Sequence, residues 1–294
     1  RLRTSSYHLA DRTSASERLW ITSDRLPDLL HDLHLSPRRL AGSVWRHMAR
    51  DWTAGGAAQT GHLRAEVLRL LRGEGLASGA GVPPGGEVLV LGCGQARLAW
   101  TIAAGLPGAR VTGLEASEAQ LSAANFFLQC AEEERLAFHP FLDEPRSNLH
   151  AAARTAALAA PDIAPAALPR VSLELRRGDF LQLSPSGEEA LRGSDAVVTS
   201  FFLDCVPGVA DSLRSIHALL RPGGLWVFAG PLAYHSWPQL CPTLDQLVGL
   251  ASEVGLTPLG EPRLLPAGYV QRPGGFGAHE HAWTAAVLVC RRGE

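Results

Sequence analysis

The sequence predicts an α/β fold: a doubly wound, mostly parallel sheet with an antiparallel last strand, preceded by an N-terminal helical region. Three observations predict it. From Glu87 onward, short apolar strand runs alternate with helical stretches, the order that builds a parallel sheet. A glycine-rich turn stands between the first of those strands and the first of those helices. The tail, Trp283 to Cys290, ends on an apolar strand signal placed to close the sheet antiparallel.

Each element has its own justification. Residues 1–84 read as helical. Leu26, Leu29, Leu30, Leu33 and Leu35 give mostly helical spacing, and Leu63, Val67, Leu68, Leu70 and Leu71 form a second apolar face. Gly79 to Gly86 is a Gly/Pro punctuation mark and divides this region from residues 85–294. Glu87 to Leu91 is a short buried-strand run, and Arg97 to Ala104 is the helix after the glycine turn. Arg110 to Leu114 makes a second strand and Ser117 to Cys130 a second helix. Val171 to Leu175, Asp195 to Ser200 and Leu225 to Gly230 supply further strands, with helices at Val209 to Leu220 and Leu244 to Val254. Ala131 to Pro169 breaks the alternation. It is too long for an ordinary connection and rich in Ala and Pro, with an alanine run (Ala151 to Ala160) able to form a helix. An ordered lid over the ligand pocket is the expectation.

Composition excludes several chemistries. The 294 residues are 46% hydrophobic and 19% charged, which suits a packed globular core. The 27 basic and 29 acidic residues leave a formal charge of -2, without the basic surplus of duplex-binding proteins, so no nucleic-acid partner is expected. All of the basic residues are arginine. Without lysine there is no Schiff-base chemistry and no lysine-dependent phosphate loop. Cys93, Cys130, Cys205, Cys241 and Cys290 are far apart and odd in number, which argues for reduced thiols in a cytoplasmic compartment rather than a disulfide framework or zinc ribbon. No apolar run approaches the roughly 20 residues of a membrane span. Arg1 to Leu19 is polar and has no signal-peptide core, and a chain that does not begin with Met is expected to be a trimmed one.

The glycine turn is Gly92-Cys93-Gly94-Gln95-Ala96-Arg97. Its glycines allow a sharp turn and a close approach to a ligand. Bulky Arg97 stands where a dinucleotide fingerprint needs a small residue, which disfavours NAD. Glu115 ends the next strand, where a carboxylate can accept both ribose hydroxyls. Asp179 and Phe180, after the third strand, can recognise an adenine amino group and cover its ring. Together with the Arg221-Pro222-Gly223-Gly224 turn before a strand, this set looks like a class I S-adenosylmethionine methyltransferase.

A closer resemblance follows from five ordered motifs: Arg50-Asp51-Trp52-Thr53; Gly92, Gly94 and Arg97-Leu98-Ala99-Trp100; Gly178-Asp179-Phe180; Phe201-Phe202-Leu203-Asp204; and Gly230-Pro231-Leu232 with Tyr234-His235. The series is similar to the carnosine N-methyltransferase family, over about Ser43 to Arg292. The resemblance implies a Rossmann-type fold with an added N-terminal helical region, and methyl transfer to an imidazole nitrogen of a histidine-containing dipeptide. It implies S-adenosyl-L-methionine as cofactor and S-adenosyl-L-homocysteine as product. Gly92, Gly94, Arg97, Glu115, Asp179, Phe180 and Ser200 are the expected cofactor contacts. His47, where the family usually has Gln, and Arg50 reach in from the N-terminal region, with Arg50 placed for the methionyl carboxylate. Taken alone, Arg50 could equally pair with a surface acid.

Asp204 falls just past the fourth strand, at the carboxyl edge where open α/β sheets bind ligands. A carboxylate after Phe201 and Phe202 suits an imidazole: a ring packs on it, and the carboxylate accepts one N–H and leaves the other nitrogen's lone pair free. Asp204 also precedes Val206, Pro207 and a helix, so an N-cap role stays equally open. Tyr234 and His235 follow the fifth strand and are expected to orient the acceptor. Trp283 aligns with an acceptor-touching tyrosine of the family, keeping an aromatic wall without the phenol. His279, Glu280 and His281 make only a weak metal motif, and no metal is expected. The expected partner is a small molecule or peptide bearing an imidazole, with no membrane and with a homodimer left open. The alternative function is methylation of another small nucleophile, a hydroxyl or amine, in natural-product biosynthesis.

Overall fold

The computed structural model describes residues 6–8, 37–76, 80–142, 150–169, 171–183, 191–234, 241–270 and 282–293. The leucines expected to form a helix at 26–35 lie outside these, as do His235, His279, Glu280 and His281.

The parallel heart of the sheet runs β6 (Leu173–Arg177), β3 (Arg110–Glu115), β2 (Glu87–Leu91), β7 (Ser194–Ser200) and β8 (Leu220–Gly230). Beyond β8 the last strand, β11 (Ala282–Arg292), pairs antiparallel, as expected, and β10 (Arg263–Gly268) pairs antiparallel with it. β9 (Leu256–Pro258) adds to β11, and β1 (Ser6–His8) adds antiparallel to β6 at the other edge. The strands are apolar runs because both sheet faces are covered. Val88 and Val90 point into one core and Leu89 and Leu91 into the other.

One core lies under α1 (Pro37–Asp51), α2 (Ala54–Leu71), α3 (Arg97–Gly105) and α4 (Glu118–Leu128), and includes Met48, Trp52, Leu63, Val67, Ile102 and Phe127. The N-terminal helices thus share a core with the sheet. Trp52 is fully buried, stacks on Phe127 at 5.2 Å and donates its indole N–H to the Gln95 carbonyl in the glycine turn at 3.0 Å. The opposite core lies under α6 (Val209–Leu219) and α7 (Leu244–Glu253).

The α1–α2 corner is close-packed. Thr53 caps α2, accepting from Gly56 N at 3.0 Å and donating to Ala49 O at 2.6 Å. A Cβ at Gly56 would stand 2.2 Å from the Arg50 carbonyl oxygen, so only glycine fits and the backbone of Arg50 is held.

The insertion differs from expectation. The helix expected over Ala151–Ala160 stops at Arg154 (α5, Ala151–Arg154), and Leu158–Ala160 becomes β5, paired antiparallel with β4 (Leu136–Phe138). Pairing buries Phe138 and Ala160, which an exposed alanine helix of about three turns would not. β6 also starts two residues later than expected and β8 five residues earlier, and β9 and β10 were not anticipated. Among the described residues no helix is long and apolar enough to cross a membrane.

Candidate active site

The sheet order reverses between β2 and β7, because β3 and β6 lie to one side of β2 and β7 and β8 to the other. At such a switch point the loops leaving the two carboxyl ends part and leave a crevice. Here those loops are the turn Gly92–Ala96 and the segment Ser200–Asp204.

Gly92, Gly94 and Ala96 all have positive φ, at 60°, 55° and 62°. At Gly92 a Cβ would meet Phe202 Cδ2 at 2.2 Å, so the bare backbone is what lets that ring settle on the turn. Phe202 meets Phe180 edge-on at 5.4 Å, so these rings form one aromatic wall. Glu115 closes the turn from β3: its carboxylate accepts from Gly94 N at 2.9 Å and Ser117 N at 2.9 Å. Burial raises its pKa, opposed by those backbone N–H groups. Each oxygen keeps a lone pair for a further donor. Asp179 accepts from Leu181 N at 2.9 Å and Gln182 Nε2 at 3.2 Å, which makes it the cap of the short 3₁₀ turn Phe180–Gln182. Ser200 is the last residue of β7.

Arg50 reaches the turn from the end of α1, where its Nη2 is 3.8 Å from the position a Gly94 Cβ would take. It is not a surface residue paired with a surface acid. Its Nε and Nη2 donate to the two oxygens of buried Asp51 at 2.7 and 2.8 Å, and its Nη1 donates to the Tyr269 hydroxyl at 3.3 Å. The Phe201 and Tyr269 rings flank the guanidinium, with centroids 5.7 and 5.5 Å from Cζ. Burial works against the Arg50 charge, but Asp51 and Tyr269 outweigh it and raise the pKa. Asp51 is lowered in turn: burial opposes, and Arg50 prevails. Three of the five guanidinium N–H groups are used, which leaves two directed donors beside the turn.

His47 lies one turn earlier on α1. Burial and the Arg50 charge lower its pKa to about 4, so the ring is neutral. It is bonded to Gln120, whose amide oxygen also accepts from Gln95 Nε2 at 2.9 Å, while its Nδ1 is buried without a partner. A neutral ring with an unmet nitrogen fits a contact with a polar ligand group.

On the acceptor side, Asp204 is 3% exposed in a short 3₁₀ turn, Leu203–Cys205. The N-cap of α6 is Gly208, so Asp204 is not the cap of that helix. Its charge, after burial, helps push the adjoining Cys205 thiol up to about 12, and the charges of Arg50 and Glu115 also reach that thiol. Tyr234 donates its hydroxyl to the Pro242 carbonyl at 2.8 Å; burial, Cys241 and then Asp204 raise it to about 12. The tyrosine is therefore a neutral donor. Trp283 lies partly buried in β11, opposite Ala267 of β10. Phe201 has a φ of 50° and sits by Arg50 and Tyr269, while Phe202 turns to Phe180, so the two phenylalanines expected at the acceptor face different groups.

Arg97, expected at the cofactor, turns its guanidinium elsewhere. It pairs with Asp162 of the insertion at 2.5 and 3.1 Å, donates to the Asp51 carbonyl at 3.2 Å and stacks over Trp52 and Trp100 at 4.9 and 5.8 Å. Asp162 N donates to Trp52 O at 3.0 Å. Arg97 thus supports the turn from beneath. Asp51, Asp162 and Tyr269 escaped sequence reasoning. Asp51 stood in a quoted motif beside Arg50, while Tyr269 has no local motif and meets Arg50 across 219 residues.

Comparisons with known proteins bear on the family and the fold. Residues 36–282 match the family profile described as carnosine N-methyltransferase. The chain is 30% identical to carnosine N-methyltransferase unmet of Drosophila melanogaster over 213 residues, 70% of this chain and 45% of that one. It is 29% identical to carnosine N-methyltransferase of Rattus norvegicus over 195 residues, 66% of this chain and 47% of that one. It therefore spans about half the length of the curated relatives it matches. Among solved structures, a chain of the Haloferax volcanii complex between a methyltransferase activator and a methyltransferase matches with a TM-score of 0.50 and 14% identity, covering 85% of this chain and 98% of that one. The fold is the Rossmann-type fold of class I methyltransferases.

Proposed function

Because the chain belongs to the carnosine N-methyltransferase family, we propose that it transfers a methyl group to an imidazole nitrogen of a carnosine-like small molecule or peptide. The observation that carries this reading is Asp204, a buried carboxylate in the segment Ser200–Asp204 at the switch point between β2 and β7, the same segment whose Phe202 settles on the Gly92 turn.

The residues present fit S-adenosylmethionine. Glu115 keeps lone pairs for ribose hydroxyls, and Arg50 keeps two N–H groups for a carboxylate. The Phe180–Phe202 wall and the neighbouring Asp179 carboxylate suit an adenine. The neutral ring of His47 leaves Nδ1 for a polar group of the methionyl part. When bound, the cofactor supplies a methyl group made electrophilic by its sulfonium.

The chain supplies orientation. Asp204 accepts the N–H of the acceptor imidazole, which fixes the tautomer and leaves the opposite nitrogen's lone pair free. No strong base is needed, because a free imidazole with a pKa of about 6.5 is largely unprotonated near neutrality. Asp204 holds that N–H proton more tightly as the ring becomes cationic, so its effect grows toward the transition state. Phe201 packs on the ring, Tyr234 and His235 orient the acceptor, and Trp283 forms a wall. The described parts of the insertion pack on the α1 side, Phe138 against Trp45 and Asp162 against Arg97, and support the turn that would hold the cofactor.

Labelled S-adenosylmethionine with a panel of imidazoles (carnosine, free histidine, other histidyl peptides), phenols and amines tests the reading. Label on an imidazole nitrogen, located by NMR, supports it. Label confined to phenols or amines, or absent from all acceptors, overturns it.

A further inference from the structure

Consecutive residues on a helix project about 100° apart and do not face each other. Arg50 and Asp51 nevertheless meet in a two-point pair, 2.7 and 2.8 Å, at the end of α1. The guanidinium therefore curls across the helix end to reach its neighbour. Helix stability does not explain the acid. Asp51 is the last residue of α1, where the helix dipole disfavours a negative charge, and it is only 7% exposed, where a carboxylate loses its hydration. Its position has to be understood through what it does to Arg50.

The pair uses the side edge of the guanidinium, Nε and Nη2, which leaves the end edge, Nη1 and Nη2, open to a second acceptor. One bond would let the plane turn about it, whereas two parallel bonds fix it. The end edge lies at the cofactor turn: Nη2 is 3.8 Å from the position a Gly94 Cβ would take. The ring of Phe201, from the other loop of the crevice, is centred 5.7 Å from Cζ, and Nη1 meets the Tyr269 hydroxyl at 3.3 Å. Asp51 is itself tied to that turn. Its carbonyl accepts from Arg97 Nη1 at 3.2 Å, and Arg97 directly follows Ala96. One residue thus joins the Arg50 fork, through its side chain, to the base of the glycine turn, through its main chain.

We propose that Asp51 is a positioning residue of this site, which aims the end edge of the Arg50 fork at the amino-acid carboxylate of the cofactor. A planar guanidinium matches a carboxylate two-on-two, so the direction of its edge decides whether both bonds form. The proposal rests on the reading of Arg50 as the residue that takes that carboxylate, and not on the identity of the methyl acceptor. It also carries a sign. An acid that merely neutralised Arg50 would weaken the attraction for an anionic ligand, and its removal would tighten binding. An acid that aims the fork strengthens binding, and its removal loosens it.

The test is a double-mutant cycle read by calorimetry with two ligands. S-adenosylhomocysteine carries the carboxylate, and 5′-methylthioadenosine keeps the nucleoside and lacks the amino-acid end. Asp51→Asn retains the shape and loses the second acceptor oxygen and the charge. We expect Arg50→Gln and Asp51→Asn each to weaken S-adenosylhomocysteine by about tenfold or more and to leave 5′-methylthioadenosine within about twofold. Because Asp51 acts through Arg50, the double variant should bind within about twofold of Arg50→Gln alone. Affinity for S-adenosylhomocysteine that is unchanged or tighter in Asp51→Asn, an equal loss on both ligands, or losses that multiply in the double variant would each overturn the proposal. A selective loss in Arg50→Gln with none in Asp51→Asn defeats the positioning role alone, whereas no selective loss in Arg50→Gln defeats the reading of Arg50 and the proposal with it. If Asp51→Asn does not fold, Asp51→Glu keeps the charge, moves the carboxylate by one methylene and is read by the same selective loss.

Discussion

Arg97 and Asp162 form a two-point ion pair, 2.5 and 3.1 Å, in which both side chains are 8% exposed. The pair joins the first residue of α3 to the insertion, and through the Asp51 carbonyl to the end of α1. Three stretches far apart in sequence thus meet directly beneath the cofactor turn.

Asp162→Asn would leave the Arg97 charge buried without its carboxylate. Breaking a buried pair from one side costs about 3–5 kcal/mol, on the order of 10 °C in Tm for a domain of this size. Calorimetry should show that fall, and limited proteolysis should show faster cleavage within 131–169. A variant with the parent Tm would show that the pair does not hold the insertion.

Glu115→Ala removes the acceptor for the Gly94 and Ser117 N–H groups and, in the proposed reading, for two ribose hydroxyls. Hydrogen bonds to a charged group contribute about 1.5–3 kcal/mol each, so S-adenosylhomocysteine should bind at least tenfold more weakly. An unchanged Kd in a folded variant would remove Glu115 from the cofactor site.

Asp204→Asn keeps the shape and removes the charge. Its amide can donate as well as accept, which favours the wrong tautomer of an imidazole. A loss of about 1–3 kcal/mol predicts kcat reduced by roughly one to two powers of ten, with cofactor affinity retained. With Gly208 as the cap of α6, undiminished turnover could not be excused by a capping role and would sink the catalytic one.

His47→Gln should flatten the acid limb of the stability curve. Folding holds His47 at about 4 against an ordinary 6.5, so the unfolded chain takes up the proton first as pH falls. Stability is therefore full above about pH 6.5 and declines toward pH 4, by up to about 3 kcal/mol. Asp51 and Glu115 are present in both proteins, so their titration largely cancels in the comparison. Thermal melts from pH 7 to 4.5 should drop less for the variant; parallel curves would contradict a buried neutral imidazole.

The strands and helices of the parallel sheet were legible because their apolar runs and glycine turns are local signals. β2, α3, β7 and α7 fall within a residue or so of their expected limits. Gly92, Glu115, Asp179 and Asp204 stand out in the sequence for a related reason: each lies at or just past the end of a strand, and strand ends in this fold meet at one edge. β4 and β5 were hidden inside an alanine-rich run whose intrinsic preference is helical, and only their pairing overrides it. Arg97 showed position without partner, since nothing near it in sequence announces Asp162. Tyr269 is legible only in three dimensions, because what singles it out is the Arg50 charge and the Phe201 ring, both from other elements.

β11 lies between β8 and β10 although it follows both along the chain. During synthesis, then, β10 has no neighbour on the sheet until residues 282–292 have been made. The contacts that seat α1 and α2 over that side, Glu66 with Arg263, His62 with Pro266 and Arg50 with Tyr269, span 197, 204 and 219 residues. Closure over such distances is slow, because chain entropy must be lost before the contacts form. A nascent chain that has just completed β8 therefore carries Met48, Leu63 and Val67 on helices whose cover is unfinished. The Arg50–Tyr269 side of its ligand edge is completed only after translation of the last strand, and a ribosome stalled before that point would hold an aggregation-prone species.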